Sequence, residues 1–382
     1  MGLSLRELIA VLTTAYPPAT AADWDTAIGL TCGDPNASVD RVLLAVDVDP
    51  DTVAEAIRSG AQLLLTHHPL LFRPVQSIAA DTPRGGLVHR LVTAGVAHYA
   101  AHTNADVAAD GVNVALAEVL GLRGLRPLVP QPGPGMDKLV VFVPVGDEAA
   151  MIAALSAAGA GRIGDYAEAA FTGPGTGQFR PLAGALPAIG AVGELERVAE
   201  SRIEMVLPRS ARAAVLAALR AAHRYEEPAF DLIELADLVP GRIGSGTIGS
   251  GRIGELPRPL TLDEFTGRVA ERLPATVSGV RAAGDPARPI RTVAVCGGAG
   301  GSYLPDAAAA GVDAYVTADL SHHVVSEYVA VPGNPAVIEV SHWAGEWPWL
   351  ARAAEMIEIR TGGTVATTVS TLRTDPWTLH RP

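Results

Sequence analysis

Between Val42 and Leu122 the chain alternates short apolar runs with amphipathic stretches. VLLAVDV, residues 42–48, has the aliphatic, β-branched character of a buried strand. The DPDTVAEAIRSG that follows opens on an Asp-Pro capping signal and stops at glycine, which predicts a helix. AQLLLT predicts a second strand, GGLVHRLVTAG a helix, VAHYAAH a third strand and GVNVALAEVLGL another helix. Strands joined through helices of this length imply an α/β core with a mostly parallel sheet and right-handed crossovers.

The pattern changes after LVPQPGPGMD, whose proline and glycine density marks a boundary. KLVVFVPV reads as a strand and DEAAMIAALSAAG as a helix. GRIGDYAEAAFTGPGTGQFRP reads as a hairpin with a glycine-rich tip that returns in the strand RVAESRIEMVLP. SARAAVLAALRAAH is a helix and PAFDLIEL a closing strand. This βαββαβ order is the ferredoxin-like arrangement, and it predicts an inserted domain over residues 136–238. The glycine-rich run after it reads as a return linker over 239–251. From there TLDEFTGRVAERL, RTVAVCGGAGG, DAYVTADLSHH, AVIEVSHWAGEW and PWLARAAEMIEIRTG resume the alternation of helix and strand. The core is therefore expected to be discontinuous, residues 1–130 with 250–382.

Length and composition agree with this division. A chain of 382 residues exceeds one ordinary core, and 48% hydrophobic with 5% aromatic residues suits closely packed strands and helices. The net charge of −12 disfavours nucleic acid and anionic lipid as partners. Cys32 and Cys296 lie far apart in no CxxC spacing, so neither a disulfide framework nor a thiolate zinc site is expected. The N-terminus lacks the basic and unbroken apolar regions of a signal peptide, and no long uncharged apolar run follows. A cytoplasmic protein without membrane partners is the expectation.

Three apolar runs end on reactive side chains. LLLTHHPLLF supplies His67 and His68, HTNAD supplies His102 and Asp106, and HWAGE supplies His342 and Glu346. In open α/β sheets, ligands bind beyond the carboxyl ends of the strands. Imidazole and carboxylate without thiolate is a donor set for Zn, Fe, Mn or Ni. Five or six such donors exceed the needs of one tetrahedral ion, so two divalent ions roughly 3.5 to 4 Å apart are expected. Successive side chains of an extended backbone point to opposite sides, so His67 and His68 are expected to serve different ions. His342 and Glu346 share one face if a helix begins there, which lets Glu346 bridge. His102 is read as a ligand or as a donor orienting Asp106.

Other polar positions are weaker. His322 and His323, after TADLS, are candidates to line the pocket as acid or base. CGGAGGS, between a strand and a helix, has the context of a phosphate cradle, although a tight turn there needs glycine anyway. Asp47 and Asp49 are read as caps of the next helix. His89, His98, His223 and His380 are read as structural or surface residues.

LLLTHHPLLF, AHTNADVAADGVN, VAVCGGAGGS, AYVTADLSHH and VSHWAGEW, in that order, resemble the NIF-three-like family, whose members carry the name GTP cyclohydrolase type 2 homologue. The resemblance implies a dinuclear centre with ligands at His67, His68, Asp106, His342 and Glu346, Glu346 being the bridge. It also implies a toroidal homohexamer with metal sites facing an internal cavity. The middle segment resembles the PII-like or CutA-like insertion of the longer members. Two departures concern substrate contacts rather than metal ligands: WDTAIGL replaces the usual Trp-Asp-Asn-x-Gly-Leu run near Trp24, and TAD, with Ala318 and Asp319, replaces the TGD common before the strand-end histidine.

The activity implied is hydrolysis of a nucleotide or related heterocycle, with GTP ring opening as the candidate and His323 or His102 as proton carrier. The competing reading is a non-enzymatic metal-handling or regulatory assembly in which the inserted domain senses a small ligand. A DNA-associated role fits the acidic charge poorly.

Overall fold

The computed structural model describes residues 2–131, 135–163, 166–236 and 248–381. They form two compact units: one from both ends of the chain, up to Gln131 and from Ile248 on, the other from the segment between. Most of the return linker expected over 239–251 lies outside the described residues, and its last three residues begin a strand, Gly249–Thr261.

The first unit contains two larger sheets. One has the order Ala366–Val369, Arg41–Ala45, Leu63–Thr66, Ala97–Ala100, Gly29–Cys32, with all neighbours parallel except the last pair. The other runs Arg281–Ala283, Ala336–Glu339, Ala314–Ala318, Pro289–Ala299, Gly249–Thr261, Arg123–Pro130, and only its three consecutive strands from Ala336–Glu339 to Pro289–Ala299 are mutually parallel. The expected mostly parallel sheet therefore describes the first, while the second is mixed.

The difference comes from two segments whose proline and glycine hid their strands. Arg123–Pro130 carries Pro127 yet pairs as an edge strand, the position where proline is tolerated. In its neighbour, Gly251 has φ +61° and a Cβ there would fall 2.9 Å from the Val295 carbonyl oxygen. Glycine here permits close approach between strands rather than looseness.

Side-chain alternation with period two builds the layers. Val42, Leu44, Leu63 and Leu65 share one core with Val293, Val295, Val316 and Ile338 of the second sheet, and Leu8, Leu116, Trp349 and Ile357 fill the same core. Leu43, Ala45 and Leu64 point the other way, onto Val53, Ala56, Val88 and Leu91. Ala294, Tyr315 and Val337 likewise meet Leu304 and Ala307. Helices thus lie between the sheets and outside both. Ser4 and Glu7 form a capping box on Leu5–Ala15, and Asp49 caps Pro50–Ser59 as the sequence predicts.

The second unit holds an antiparallel sheet, Phe230–Glu234, Met136–Pro144, Glu196–Pro208, Ala170–Phe179, with helices Glu148–Ala157 and Arg212–Ala222 on its core face. The glycine-rich AFTGPGTGQF, expected at a hairpin tip, is itself the strand Ala170–Phe179, and residues 180–195 make the connection. Close packing explains the choice at Gly177, where a Cβ would sit 2.0 Å from the Glu200 carboxylate. Among the described residues, no helix is long and apolar enough to cross a membrane.

Candidate metal centre

His67 and His68 directly follow the Leu63–Thr66 strand, and their backbone N–H groups still donate to Ala45 O (3.2 Å) and Val46 O (2.9 Å) of its neighbour. The pair is therefore fixed by the sheet. The Ala97–Ala100 strand ends before His102, and the short helix Thr103–Val107 then presents Asp106. The third run, AVIEVSHWAGEW, reads as a strand, with a helix at His342 as the condition for Glu346 to share its face. The strand stops at Glu339 and His342–Glu346 is helical, which puts His342 Nε2 3.0 Å from Glu346 Oε1.

Glu346 lies at the centre, 2% exposed. Its Oε1 is 3.3 Å from His67 Nε2, and its Oε2 is 3.1 Å from His68 Nε2. Asp106 Oδ1 lies 3.6 Å from His67 Nε2, and His342 Nε2 is 3.2 Å from His68 Nε2. Two glycines make room: at Gly298, φ +67°, a Cβ would fall 2.5 Å from Glu346 Oε1. At the neighbouring Gly297 it would meet Val112 at 2.8 Å.

Every Nδ1 is held from outside. His67 Nδ1 donates to Ala101 O (2.9 Å), His68 Nδ1 to Asp47 (2.6 Å), His342 Nδ1 to Asp319 (2.7 Å) and His102 Nδ1 to Asp25 (2.9 Å). A carbonyl or ionised carboxylate can only accept, so each Nδ1 carries the proton. A neutral ring fixed this way offers its Nε2 lone pair, the arrangement found behind metal-ligating histidines. Asp47 is anchored in turn by the Thr374 hydroxyl.

Three atoms at the centre, His67 Nε2, Asp106 Oδ1 and Glu346 Oε2, are buried without a hydrogen-bond partner. Convergent lone pairs left bare in this way fit a cation. His68, His342 and Glu346 each offer a donor atom within 4.8 Å of the others, and so do His67, His68 and His102.

The electrostatics point the same way. Burial alone would lower the imidazoles, but the Glu346 carboxylate and the outer aspartates overcome it, raising His68 to about 10 and His342 to about 11. His67 is also raised, against burial, by Glu346 and Asp106. Burial would raise Glu346, yet its three imidazole neighbours hold it well below the usual carboxylate range. Burial dominates at Asp106 and raises it.

A proton linkage follows. The raised imidazoles mean that the metal-free cluster holds on to protons that a metal ion must displace. Metal binding near pH 7 is therefore expected to release protons and to weaken as pH falls. Calorimetry in buffers of different ionisation enthalpy measures this, and a buffer-independent heat would contradict it. Asp47→Asn, which removes the charge behind His68, is expected to weaken metal binding roughly 10- to 100-fold in a competition assay with a chromophoric chelator. Unchanged affinity would show that Asp47 only packs there.

The remaining candidates separate. His102 lines the cavity beside the centre, a space of ≈ 1360 Å³. His323 does not: it is exposed in the first turn of the helix His322–Ala330 and, like His322, is absent from the cavity wall. Two residues beyond Leu320 the chain has already turned into that helix, so the TADLSHH strand end is shorter than expected. Asp47 supports His68 rather than capping a helix. The CGGAGGS turn uses Gly297 N on Asn113 Oδ1 (2.8 Å) and Gly300 N on Thr317 Oγ1 (2.9 Å), so neither amide is open to a phosphate. His380 lines the cavity, which its place near the C-terminus did not suggest. Asp25 and Asp319 were missed as imidazole partners. Asp319 has φ +57°, and its carboxylate accepts from His342 at the start of the next helix.

Fold and centre together define an α/β protein with a buried histidine–carboxylate cluster suited to metal. The family profile for Duf34/NIF3 (NGG1p interacting factor 3) matches residues 3–376. A Mycobacterium tuberculosis protein named GTP cyclohydrolase 1 type 2 homolog is 51% identical over 380 residues, 99% of this chain and 98% of its own. A Bacillus subtilis protein of the same name is 40% identical over 339 residues, 89% of this chain and 88% of its own. A crystal structure of a Bacillus cereus protein related to NIF3 superposes with a TM-score of 0.83 at 36% identity, covering 100% of both chains. The chain belongs to the DUF34/NIF3 family.

Proposed function

We propose that the protein is a dinuclear metal-dependent hydrolase of a nucleotide or related heterocycle, of the GTP cyclohydrolase type 2 kind that its relatives' names suggest. One observation carries the reading: three fixed Nε2 atoms and both oxygens of a buried glutamate converge, three of the buried atoms there lacking a hydrogen-bond partner. His67 and Asp106 would hold one ion and His68 and His342 the other, with Glu346 shared. Two divalent ions there would supply Lewis acidity and a water acidified to near neutrality.

The protein's own contribution is position and proton transfer. Asp25, kept ionised by His102 and Thr103 against its burial, holds the His102 imidazole by Nδ1. His102 Nε2 is then the bare nitrogen on the cavity wall that can accept a proton. His323, exposed away from the cavity, has no place in this scheme.

Metal-loaded protein incubated with GTP and followed by chromatography is expected to yield ring-opened product. GTP and other nucleotides left unchanged, with occupancy verified by elemental analysis, would sink the hydrolase reading. A metal-handling or sensing role is favoured by a separate cavity of ≈ 690 Å³ in the second unit, walled by Phe142, Phe179, Glu200 and Tyr225. We read that unit as ferredoxin-like, a reading supported by its strand order. The homohexamer belongs to the same proposal, and light scattering in solution tests it.

A further inference from the structure

The hydrolase reading leaves unexplained two large aromatic side chains that stand in solvent at the cavity wall. Trp24 is 64% exposed and Phe72 45%. With His102 they form an edge-on cluster: the centroids are 6.1 Å apart for Trp24 and Phe72, 6.0 Å for Trp24 and His102, and 5.9 Å for Phe72 and His102. Apolar surface grouped in a concave site is where a ligand recovers the free energy of burial.

The cluster is held on a fixed frame. Asp25, the residue after Trp24, accepts through Oδ2 from Thr103 N (3.1 Å), Thr103 Oγ1 (2.6 Å) and His102 Nδ1 (2.9 Å). On the other side, Ala22 N donates to Thr103 Oγ1 (3.0 Å), and Asp25 N closes a turn onto Ala22 O (2.8 Å). The indole therefore projects from a backbone pinned before and after it. The bond to Asp25 also fixes the His102 tautomer, which leaves Nε2 of this cavity-lining residue as a hydrogen-bond acceptor. Because the Trp24 and Phe72 planes are inclined by 68°, a flat ring that carries an N–H on its edge can stack on one of them and meet the other edge-on.

We propose that Trp24, Phe72 and His102 form the subsite for a planar nitrogen heterocycle of purine or pteridine type, stacked on the Trp24 indole with Phe72 against its edge and donating an edge N–H to His102 Nε2. The inference deepens the hydrolase reading by assigning the ring-binding residues, and it rests on that reading for its place in the reaction. Binding itself requires no turnover.

Calorimetry on the full-length, metal-loaded protein tests it with two probes, guanosine for the ring and inorganic tripolyphosphate for the anion. Trp24→Ala is expected to weaken guanosine binding about tenfold or more, while Trp24→Phe keeps it within about threefold, because stacking needs a π-face rather than an indole. Tripolyphosphate binding and metal content are expected to stay unchanged in both variants, which shows that they remain folded. Guanosine that fails to bind the wild type, or binds Trp24→Ala equally well, overturns the proposal. So does a change of assembly mass in Trp24→Ala, since the rings would then be an interface between copies. Guanosine bound through Trp24 with GTP left intact removes the hydrolase and leaves the subsite standing.

Discussion

Glu346→Ala is expected to lose metal from both positions of the proposed two-ion centre, with affinity reduced by more than roughly 100-fold. Its two oxygens face different imidazoles, Oε1 toward His67 and His342 and Oε2 toward His68. Removing the carboxylate takes away both a shared ligand and the charge that draws cations into a buried pocket. His67→Ala and His68→Ala should instead deplete mainly one position each, because the donors proposed for the other ion, His68 with His342 or His67 with Asp106, survive. Elemental analysis separates the cases: near two ions per chain in the wild type, near none in the Glu346 variant, near one in either histidine variant. Full occupancy in Glu346→Ala would rule out the bridge. Glu346→Gln is the companion variant, since it keeps the side-chain volume and separates loss of charge from loss of packing.

The second large effect is on stability. Arg252 is 2% exposed, and its guanidinium donates to Gly249 O (2.6 Å), Gly251 O (2.7 Å) and Ala108 O (2.6 Å). Burial lowers it only to about 10, so it stays charged at neutral pH. Arg252→Met keeps much of the apolar stem but leaves those carbonyls without this donor. Hydrogen bonds to a charged group contribute roughly 1.5–3 kcal/mol, and a buried acceptor left bare costs about 1–3 kcal/mol. Relief of the cost of burying the charge offsets part of this, so a net loss of about 3 kcal/mol is expected from denaturant midpoints at constant m-value. Ala108 lies two residues after Asp106, so metal affinity should fall in the same variant. A midpoint shift worth less than about 1 kcal/mol would mean that the charge costs as much to bury as its bonds return.

Both effects were unequally visible in the chain. Glu346 could be singled out because its i, i+4 spacing from His342 holds on any helix, and because three apolar runs each ended on imidazole or carboxylate. Arg252 could not, since it sits inside GRIGSGTIGSGRIGEL, where glycine after glycine suggests a linker. Gly249, Gly251 and Gly254 of this run instead let neighbouring strands approach within the distance that a Cβ would block. His323 shows the opposite failure. Its place after an apolar strand resembled that of His67, but the strand ends at Ala318 and the chain carries His323 into an exposed helical turn.

The sequence by itself determined the strand–helix alternation from Val42 to Leu122, the discontinuity of the core, and the residues that converge as His67, His68, Asp106, His342 and Glu346. Local periodicity and strand-end position suffice for these, because both are properties of neighbouring residues. Only the tertiary structure decided which nitrogen each imidazole offers. Asp25, Asp47 and Asp319 act on His102, His68 and His342 from 77, 21 and 23 residues away, and no local pattern encodes a hydrogen bond across such a gap. It likewise decided that the second sheet is mixed, since pairing between Arg123–Pro130 and Gly249–Thr261 joins strands on either side of an entire inserted unit.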